Sequence, residues 1–523
     1  MNPVLARYDD DPQGRSEKLA RVRDELSYAW DRPEGVATAR SLPKRLGYPP
    51  GVVAQVGVAL AALEANKAAA RLRGARVEPD RTATIESCAA QFATIDLSPV
   101  AKARIDATHR GDRAALDALF AWERLAGANP FVLERLASIG DLSAVSPSFV
   151  CACGEGRAFV ADYRPFLDGV STAAHKFITA PVALFARGDG SSALAPVAIV
   201  IDGRVARPGD DAWDAAVGHV QVADANVQES FFHLGRVHFL LEAFAMATER
   251  QLSERHPLYV LLSPHFHGTL AINQAARDEL VVPGGKLELL MAPTLEGSLS
   301  LVRRAVASFR FSTCTIAGDL ERRGVLSTDA LERFAYRDDA LLVERSIREF
   351  CNGYIAVAYA TDEEVATDLE LRAWLDELGS SEGGRLQGLP AVSDRTSLVE
   401  LVTFIVAQAS IVHSAVNYTQ GDFMGFVPGM PTSSSAAAPS FALPTEALAN
   451  EQLSFMLQQT MVRVDRLGDY PPEHFRDRRV APLVSQLRAS LESASRQIAE
   501  RQGERLCPYP YLDPATLAAS VHI

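Results

Sequence analysis

Residues 231–244 read FFHLGRVHFLLEAF, an apolar stretch with two histidines five positions apart, His233 and His238. On a regular α-helix each residue advances by about 100°, so these two side chains would lie about 140° apart. A π-bulge, with hydrogen bonds from residue i to residue i+5, would turn both side chains to one side, and such bulges are frequent at functional sites. The stretch therefore predicts either two unrelated core histidines or a π-bulged helix that brings two imidazoles together.

A second stretch, SIVHSAVNYTQ at residues 410–420, places His413 and Asn417 four residues apart. On a regular helix this spacing puts both side chains on one face. Each buried polar group without a partner costs about 1–3 kcal/mol, so the pair needs a partner, and a metal ion would serve both. Imidazole and oxygen ligands suit iron, manganese, nickel or copper, and the set would lack only an anionic ligand.

The composition limits the class of protein. The chain has 523 residues, 48% of them hydrophobic, and a formal net charge of −13. Such a chain is globular, and its negative charge opposes nucleic-acid binding. The six cysteines are scattered without a zinc-type pairing, which predicts reduced thiols. The first residues do not read as a signal peptide, and the longest apolar run, residues 52–63, is interrupted by Gln55. We therefore expect a cytoplasmic protein, with a peripheral membrane contact still possible.

The pattern of residues predicts a mainly α fold. Residues 15–126 are rich in Ala, Leu, Arg and Glu at helical spacing, with almost no strand-like alternation. Residues 158–201 instead contain β-branched runs separated by Gly, Asp and Ser, which predicts a small β-subdomain. Long helices are expected afterwards, at residues 226–252, 272–280, 296–317, 339–360, 398–418, 446–467 and 480–502. Residues 379–384 and 428–440 are expected to be surface loops.

Several motifs together resemble the lipoxygenases. That family has a histidine, four residues and a second histidine on a long helix, followed by HP, PH and IN-x-x-AR segments, as residues 233–277 do here. The HSAVNYTQ segment is similar to the family's second ligand helix, and the ending YLDPATLAASVHI is similar to the family's ending. Weaker similarities lie upstream at Asn129-Pro130, in DYRPFLDGV, and at Trp213, Ala216 and Asp224. The resemblance covers roughly residues 127–523.

The resemblance implies a catalytic domain over residues 127–523, built around two long core helices, one with a π-bulge and the other regular. Residues 1–126 are then a divergent helical segment packed on that domain, and no amino-terminal PLAT β-sandwich is expected. The implied ligands of one non-haem iron are His233, His238, His413, Asn417 and the terminal carboxylate of Ile523. Manganese is the alternative metal, because the ligand set suits both. Glu229 and Gln420 are similar to a polar pair that links the two ligand helices, while His256 and His265 are expected to be structural.

The family's chemistry implies a dioxygenase. A ferric ion with bound hydroxide takes the hydrogen between two double bonds of a polyunsaturated fatty acid, of the linoleate or arachidonate type, and O2 adds to give a hydroperoxide. No side chain is assigned a catalytic role beyond that hydroxide. Ala276 resembles the alanine of the family members that form S-hydroperoxides. The other implied pocket positions are Leu280, Leu289, Leu290 and Ala225.

Two alternatives remain open. One is a fatty-acid hydroperoxide isomerase that uses the same iron in the ferrous state. The other is a non-catalytic lipid-binding protein on the same fold, which predicts the loss of a ligand, and none is lost here. The expected partners are the fatty acid and O2, and a monomer is expected.

Overall fold

The first core helix carries the FFHLGRVHF stretch through the interior. It runs without interruption through three segments, the α-helix Trp213–Val227, the π-helix Gln228–Phe239 and the α-helix Leu240–Gln251. This description comes from a computed structural model that covers residues 3–138, 147–188 and 193–523. The predicted π-bulge is confirmed, and π-helical bonding extends over both histidines.

The second core helix carries His413 and Asn417. It consists of Arg395–Ala407, the π-helix Gln408–Val412 and His413–Asn417. It starts at a capping box, in which the Asp394 carboxylate accepts from the Ser397 backbone N–H. Most of its side chains are apolar and buried, as expected of a helix enclosed by protein. The prediction that this helix is regular is wrong, because a π-turn directly precedes His413.

A third helix, Leu295–Ala307, packs closely against the π-helical part of the first core helix. The contact depends on Gly235, because a Cβ atom at this position would lie 2.4 Å from Ala305 Cβ. A close approach of this kind is a common reason for a helical glycine, which otherwise costs about 0.5–1 kcal/mol relative to alanine. The approach fixes the first core helix beside the histidines.

A five-stranded antiparallel meander, with strands in sequence order, forms the small β-subdomain. The prediction for residues 158–201 is confirmed, although the turn at residues 189–192 lies outside the described residues. The sheet is larger than expected by one short strand at each edge. One face of the sheet joins the main core, and the other packs against Phe149 in a separate small cluster. The strands are β3 Leu133–Arg135, β4 Ala158–Asp162, β5 Val182–Arg187, β6 Leu194–Ile201 and β7 Arg204–Ala206.

The amino-terminal segment is not entirely helical, contrary to the prediction. A hairpin of β1 (Tyr28–Asp31) and β2 (Glu34–Ala39) pairs Tyr28 with Ala39 across a turn. Tyr28 and Trp30 in β1 and Val36 and Thr38 in β2 favour strands, and β2 has a buried half that packs on the catalytic part of the chain. The helices of this segment are Pro12–Glu25, Pro50–Leu72, Ile85–Ala89, Pro99–Arg110 and Arg113–Ala126.

The other helices surround the two core helices, and the mainly α architecture is confirmed. The expected helix at residues 296–317 is broken after Ala307, and the one at 446–467 ends at Met461. Short 3-10 turns are present at Ala6–Tyr8, Lys44–Leu46 and Ser263–Phe266. The remaining helices are Pro147–Gly154, Arg164–Leu167, Pro257–Leu262, Thr269–Ala275, the π-helix Ala276–Leu280, Lys286–Leu290, Phe311–Cys314, Ile316–Arg322, Ala335–Ala358, Asp362–Ala366, Leu369–Gly379, Gln420–Phe423, Glu446–Met461 and Ala481–Gln502.

Within the part of the chain that the structure describes, two helices are long and apolar enough to cross a membrane, although the longest apolar run in the sequence is short. One, Arg395–Phe423, is 94% buried within the protein, and belongs to the core. The other, Pro50–Leu72, is only 22% buried, and lies on the surface. Length and composition alone do not distinguish a core helix from a membrane span.

Replacing Gly235 with alanine tests the close helix contact. We expect Gly235→Ala to lower the free energy of unfolding by about 1–3 kcal/mol, because the added methyl group overpacks the interface. The matched control is Gly57→Ala, since a Cβ at Gly57 has no heavy atom within 4 Å. The control should be neutral or stabilising by up to about 1 kcal/mol. Urea unfolding measures both, and equal stability changes would contradict the packing argument.

Candidate metal centre

Three imidazoles converge between the two core helices. The nearest ligand atoms of His233, His238 and His413 all lie within 4.8 Å of one another. All three side chains are buried, and the Nε2 atoms of His233 and His238 are 3.1 Å apart. The π-helical winding makes this possible, because it cancels the 140° that regular winding would put between positions five apart.

His233 has its outer nitrogen held by a carboxylate. Its Nδ1 lies 3.0 Å from Glu229 Oε2, and the Gln420 Nε2 amide donates to the same carboxylate oxygen at 2.5 Å. A carboxylate accepts, so Nδ1 carries the proton and Nε2 is left with a lone pair facing the other imidazoles. The structure thus places Glu229 and Gln420 in contact, which links the first core helix to the segment that follows the second.

His238 has its outer nitrogen held by an amide. Its Nδ1 lies 2.8 Å from Asn273 Oδ1. The orientation of that amide is fixed, because Asn273 Nδ2 donates to the His238 carbonyl at 2.8 Å and to Glu242 Oε2 at 2.9 Å. Nδ1 is therefore the donor and Nε2 again has the lone pair. Burial, and then the neighbouring His233, lower the pKa of His238 to about 3, so its ring is neutral at pH 7.

Two nitrogen lone pairs therefore face each other at a distance of 3.1 Å in a dry interior. Between two neutral rings, a hydrogen bond joining the two nitrogens would need one ring to carry its proton on Nε2, and that ring would then lose the Nδ1–H that Glu229 or Asn273 accepts. Two nitrogens bound at right angles to a cation, each at about 2.1 Å, would be about 3 Å apart. The spacing and the tautomers together fit a shared metal ion.

His413 and Asn417 add further unpartnered atoms at the same place. Neither ring nitrogen of His413 forms a hydrogen bond of normal geometry, and Asn417 Oδ1 has no partner. Asn417 is nevertheless fixed, because its Nδ2 donates to the Gln459 carbonyl at 3.1 Å. Burial lowers the pKa of His413 well below its usual value, and electrostatic repulsion between protonated His413 and the neighbouring His238 and His233 lowers it further. An imidazole and an amide oxygen kept free of internal bonds are suitable metal ligands.

The carboxyl-terminal tail, residues 517–523, is buried throughout. Ordered hydrogen bonds hold it in place. The His265 ring lies 2.8 Å from the Ala519 carbonyl, and the Val464 N–H donates to His522 Nε2 at 3.2 Å. A terminus held in this way differs from the usual frayed chain end.

The tail brings Ile523 next to His413. Ile523 is 5% exposed. A contact between its backbone and the His413 ring raises the pKa of His413, although burial lowers that pKa by more. The terminal carboxylate is the only anionic group that the predicted ligand set contains. The residues present, three imidazoles, one amide oxygen and a buried chain terminus, fit a non-haem iron or manganese ion.

A buried network behind His238 was not predicted as part of the site. Glu242 accepts from Asn273, from Arg277 at 2.7 Å and from the Ala39 backbone N–H at 2.8 Å. Burial raises the pKa of Glu242, and the Arg277 charge opposes that rise. The sequence carried a signal for this network, since Glu242 is the one carboxylate in the apolar run HFLLEAF and Asn273 and Arg277 lie in IN-x-x-AR. Through Ala39, the amino-terminal hairpin contacts Glu242, which holds Asn273 beside the candidate ligand His238.

Two other polar positions have structural roles. Gln228 donates to the Val416 carbonyl at 2.6 Å and so joins the two core helices. His256 caps the helix Pro257–Leu262 and lies 2.9 Å from Asp368 Oδ2. The expectation that His256 and His265 are structural is confirmed by these bonds.

The predicted pocket residues occupy different environments. Ala225 and Leu290 are fully buried, whereas Ala276 and Leu280 are partly buried and lie at the two ends of the π-helix Ala276–Leu280. Leu289 is 42% exposed, so its side chain does not lie in the buried interior. A cavity of about 670 Å³ runs along the core helices, and its lining includes none of these five residues.

Comparison with known proteins gives a consistent family. The sequence profile of the family Lipoxygenase matches residues 163–464. The chain is 32% identical over 457 residues to "Linoleate 9/13-lipoxygenase" of Pseudomonas aeruginosa, covering 78% of this chain and 66% of that protein. It is 30% identical over 456 residues to "Polyunsaturated fatty acid lipoxygenase ALOX15B" of Homo sapiens, covering 80% and 67%. It is also 30% identical over 445 residues to "Hydroperoxide isomerase ALOXE3" of Homo sapiens, covering 78% and 62%.

The fold is shared with solved structures. A coral 8R-lipoxygenase aligns with a TM-score of 0.89 at 22% identity, over 100% of this chain and 83% of that one. The manganese lipoxygenase of Gaeumannomyces graminis aligns with a TM-score of 0.84 at 21% identity, over 100% of both chains. The predicted lipoxygenase-type fold is therefore confirmed, while the aligned part of this chain spans about two thirds of the curated relatives.

Replacing Asn273 with alanine tests the tautomer argument. Without the acceptor on Nδ1, His238 is free to carry its proton on Nε2, and we expect metal affinity to fall about 10–100-fold. Competition with a metal chelator measures this affinity. Asn226→Ala is the matched control, since the Asn226 amide is also buried but donates to the Val222 and Thr432 carbonyls rather than to an imidazole. Equal losses of affinity in both variants would count against the tautomer argument.

Proposed function

The chain belongs to the lipoxygenase family, and we propose that it is a metal-dependent dioxygenase that inserts O2 into polyunsaturated fatty acids with a 1,4-diene, of the linoleate or arachidonate type. The observation that carries this proposal is the pair of imidazole lone pairs 3.1 Å apart, with a third imidazole and a free amide oxygen beside them. Relatives named for linoleate and for polyunsaturated fatty acids support the substrate class.

The proposed ligands of one non-haem iron are His233, His238, His413, Asn417 and the carboxylate of Ile523. Four neutral ligands and one anion keep the net charge of the site low, and manganese is the alternative ion because a protein of the same fold is named a manganese lipoxygenase. When bound, the metal supplies a one-electron oxidant and a base for the hydrogen between the double bonds. The overall reaction joins the fatty acid and O2 into one hydroperoxide, so no further oxidant is needed.

The protein's own contribution is positional. Glu229 and Asn273 fix the tautomers of two ligands, and the Glu229–Gln420 bond holds the two ligand helices in one arrangement. The buried surroundings limit the access of bulk water to the site, which protects a carbon radical from side reactions. We further propose that the enzyme acts as a cytoplasmic monomer and, with Ala276 beside the diene, forms hydroperoxides of S configuration.

A hydroperoxide isomerase is the alternative within the family, supported by the 30% identity to a human hydroperoxide isomerase. Such an enzyme would consume a hydroperoxide without matching O2 uptake. The non-catalytic lipid-binding alternative is less well supported, because each of the five ligand positions holds a suitable residue.

The first experiment tests turnover and the terminal ligand together. Protein with its native terminus is mixed with linoleate or arachidonate in aerated buffer, and conjugated-diene absorbance, O2 uptake and bound metal are measured on one sample. We expect diene and O2 to match one to one. Deleting Ile523 should remove bound metal and activity, because the new terminus falls one residue short of the site.

Ile523→Val is the matched control for the deletion, since it keeps the terminal carboxylate and should retain the metal. A deletion variant that keeps its metal and activity would contradict the five-ligand assignment. If fully metal-loaded protein forms no conjugated diene, that result would instead favour the isomerase or the lipid-binding alternative.

Replacing Ala276 with glycine tests the stereochemical proposal. The methyl group of Ala276 is proposed to block one position for O2 on the diene, so Ala276→Gly should shift the product from S towards R at a different carbon. Chiral chromatography of the hydroperoxides measures this ratio. The partly exposed Ala275→Gly, one residue earlier on the same helix, is the control. Unchanged chirality in Ala276→Gly would mean that this residue does not face the reacting carbons.

A further inference from the structure

The helix Pro50–Leu72, hereafter the surface helix, leaves an apolar face in solvent. Only 22% of its most apolar stretch is buried, although the helix is apolar enough to cross a membrane. Val53, Val58, Leu60 and Leu72 are 57%, 70%, 45% and 90% exposed. Exposed apolar side chains that are contiguous usually mark a binding surface, whereas single ones need no explanation.

The two faces of the surface helix are clearly separated. Its buried face is a narrow stripe, in which Leu63 packs with Leu453 and Leu457 of the helix Glu446–Met461. The opposite face carries charge only at Glu64 and Arg71, and is otherwise apolar or glycine over about 30 Å of helix. The apolar or glycine residues of this face are Val53, Ala54, Gly57, Val58, Leu60, Ala61, Ala65, Ala68 and Leu72.

The charges around the surface helix have the opposite sign to the chain as a whole. Residues 43–76 contain six basic residues and one acidic residue, Glu64, whereas the whole chain has a net charge of −13. Basic residues lie at both ends of the apolar face, Lys44 and Arg45 before it and Lys67, Arg71, Arg73 and Arg76 in or after its last two turns. Arg45 pairs with Glu249 and Lys67 with Glu64, and the other four form no ion pair with the residues that the structure describes. An apolar helical face with Lys and Arg at its borders is typical of helices that lie in the headgroup region of anionic membranes.

We propose that the surface helix docks this face onto an anionic phospholipid bilayer, lying in the plane of the headgroups. A second copy of the chain fits the face less well. Because basic residues border it at both ends, pairing with another surface helix would bring like charges together in either orientation. A bilayer with anionic lipids complements both the apolar face and the flanking charges.

The surface helix lies close to the candidate metal centre. Gln55 Oε1 accepts from the Arg463 backbone N–H at 2.7 Å, and Asn417 Nδ2 donates to Gln459 on the helix that the surface helix packs against. One helix thus separates the proposed membrane surface from a candidate ligand. The inference deepens the proposed function, since it names the bilayer as the source of the fatty acid, but membrane binding is measured without turnover.

Flotation with lipid vesicles tests the proposal. The full-length protein is mixed with vesicles of phosphatidylcholine alone or with about 30% phosphatidylglycerol. We expect binding to the anionic vesicles, and weaker binding when salt is raised from about 0.15 M to about 1 M, which shortens the Debye length to about 3 Å. The double variant Val53→Gln/Val58→Gln should bind about tenfold less, because two exposed apolar side chains no longer enter the lipid.

Arg71→Gln/Arg73→Gln should lose the preference for anionic vesicles, and Leu369→Gln is the matched control because Leu369 is 74% exposed on another helix. All variants should keep the parent's thermal stability and its turnover of fatty acid in solution. The proposal would be overturned if the parent protein did not bind vesicles, or if Val53→Gln/Val58→Gln bound them as well as the parent. It would also be overturned if light scattering showed a dimer of the parent and a monomer of the valine variant, because a second copy of the chain would then cover the apolar face.

These outcomes are separable from failure of the proposed function. A parent that binds vesicles but forms no diene keeps the docking surface and rejects the dioxygenase. A parent that turns over soluble linoleate but never binds vesicles keeps the dioxygenase and rejects the docking surface.

Discussion

Two unprotonated imidazole nitrogens facing each other in a dry interior are the constraint on which the rest of the structure depends. His233 and His238 would not meet on a regular helix, and once they meet, their lone pairs repel unless a cation lies between them. Glu229 accepts a hydrogen bond from Nδ1 of His233, and Asn273 accepts one from Nδ1 of His238. In a neutral ring Nε2 is then left with the lone pair, so the repulsion persists. While both rings are neutral, no proton can bridge them without breaking one of those outer bonds.

Much of the surrounding architecture serves to hold this unfavourable arrangement. The π-helix Gln228–Phe239 supplies the winding, Gly235 lets the neighbouring helix pack close behind it, and a second π-turn precedes His413. Polar bonds then connect separate parts of the chain, from Gln420 to Glu229 and from Ala39 to Glu242. Irregular helical winding and buried polar groups persist only where the packing around them fixes their position, and this site combines both.

The sequence predicted what local spacing determines. Histidines five apart in an apolar run indicated a π-bulge as the way for both side chains to meet, and the strand-like pattern of residues 158–201 differed from its helical surroundings. What depends on tertiary contact was missed. The hairpin of β1 and β2 is held by strand pairing and by packing on the core, and the turn before His413 has ordinary helical residues, QASIV. Asn273 was visible within a motif, but its bond to His238 joins residues 35 positions apart, so its role appeared only in the fold.

The same atoms connect metal binding to the stability of the fold. Both ring nitrogens of His413 and Oδ1 of Asn417 are buried without partners, and each such group costs about 1–3 kcal/mol when nothing binds it. A metal ion held by these groups and by the other proposed ligands would bind only the folded chain, because the unfolded chain does not hold the proposed ligands together. Its binding energy therefore adds to folding stability. The carboxyl-terminal tail, residues 517–523, takes part in this coupling. Packing and the hydrogen bonds with His265 and Val464 already hold it in the interior without any metal contact.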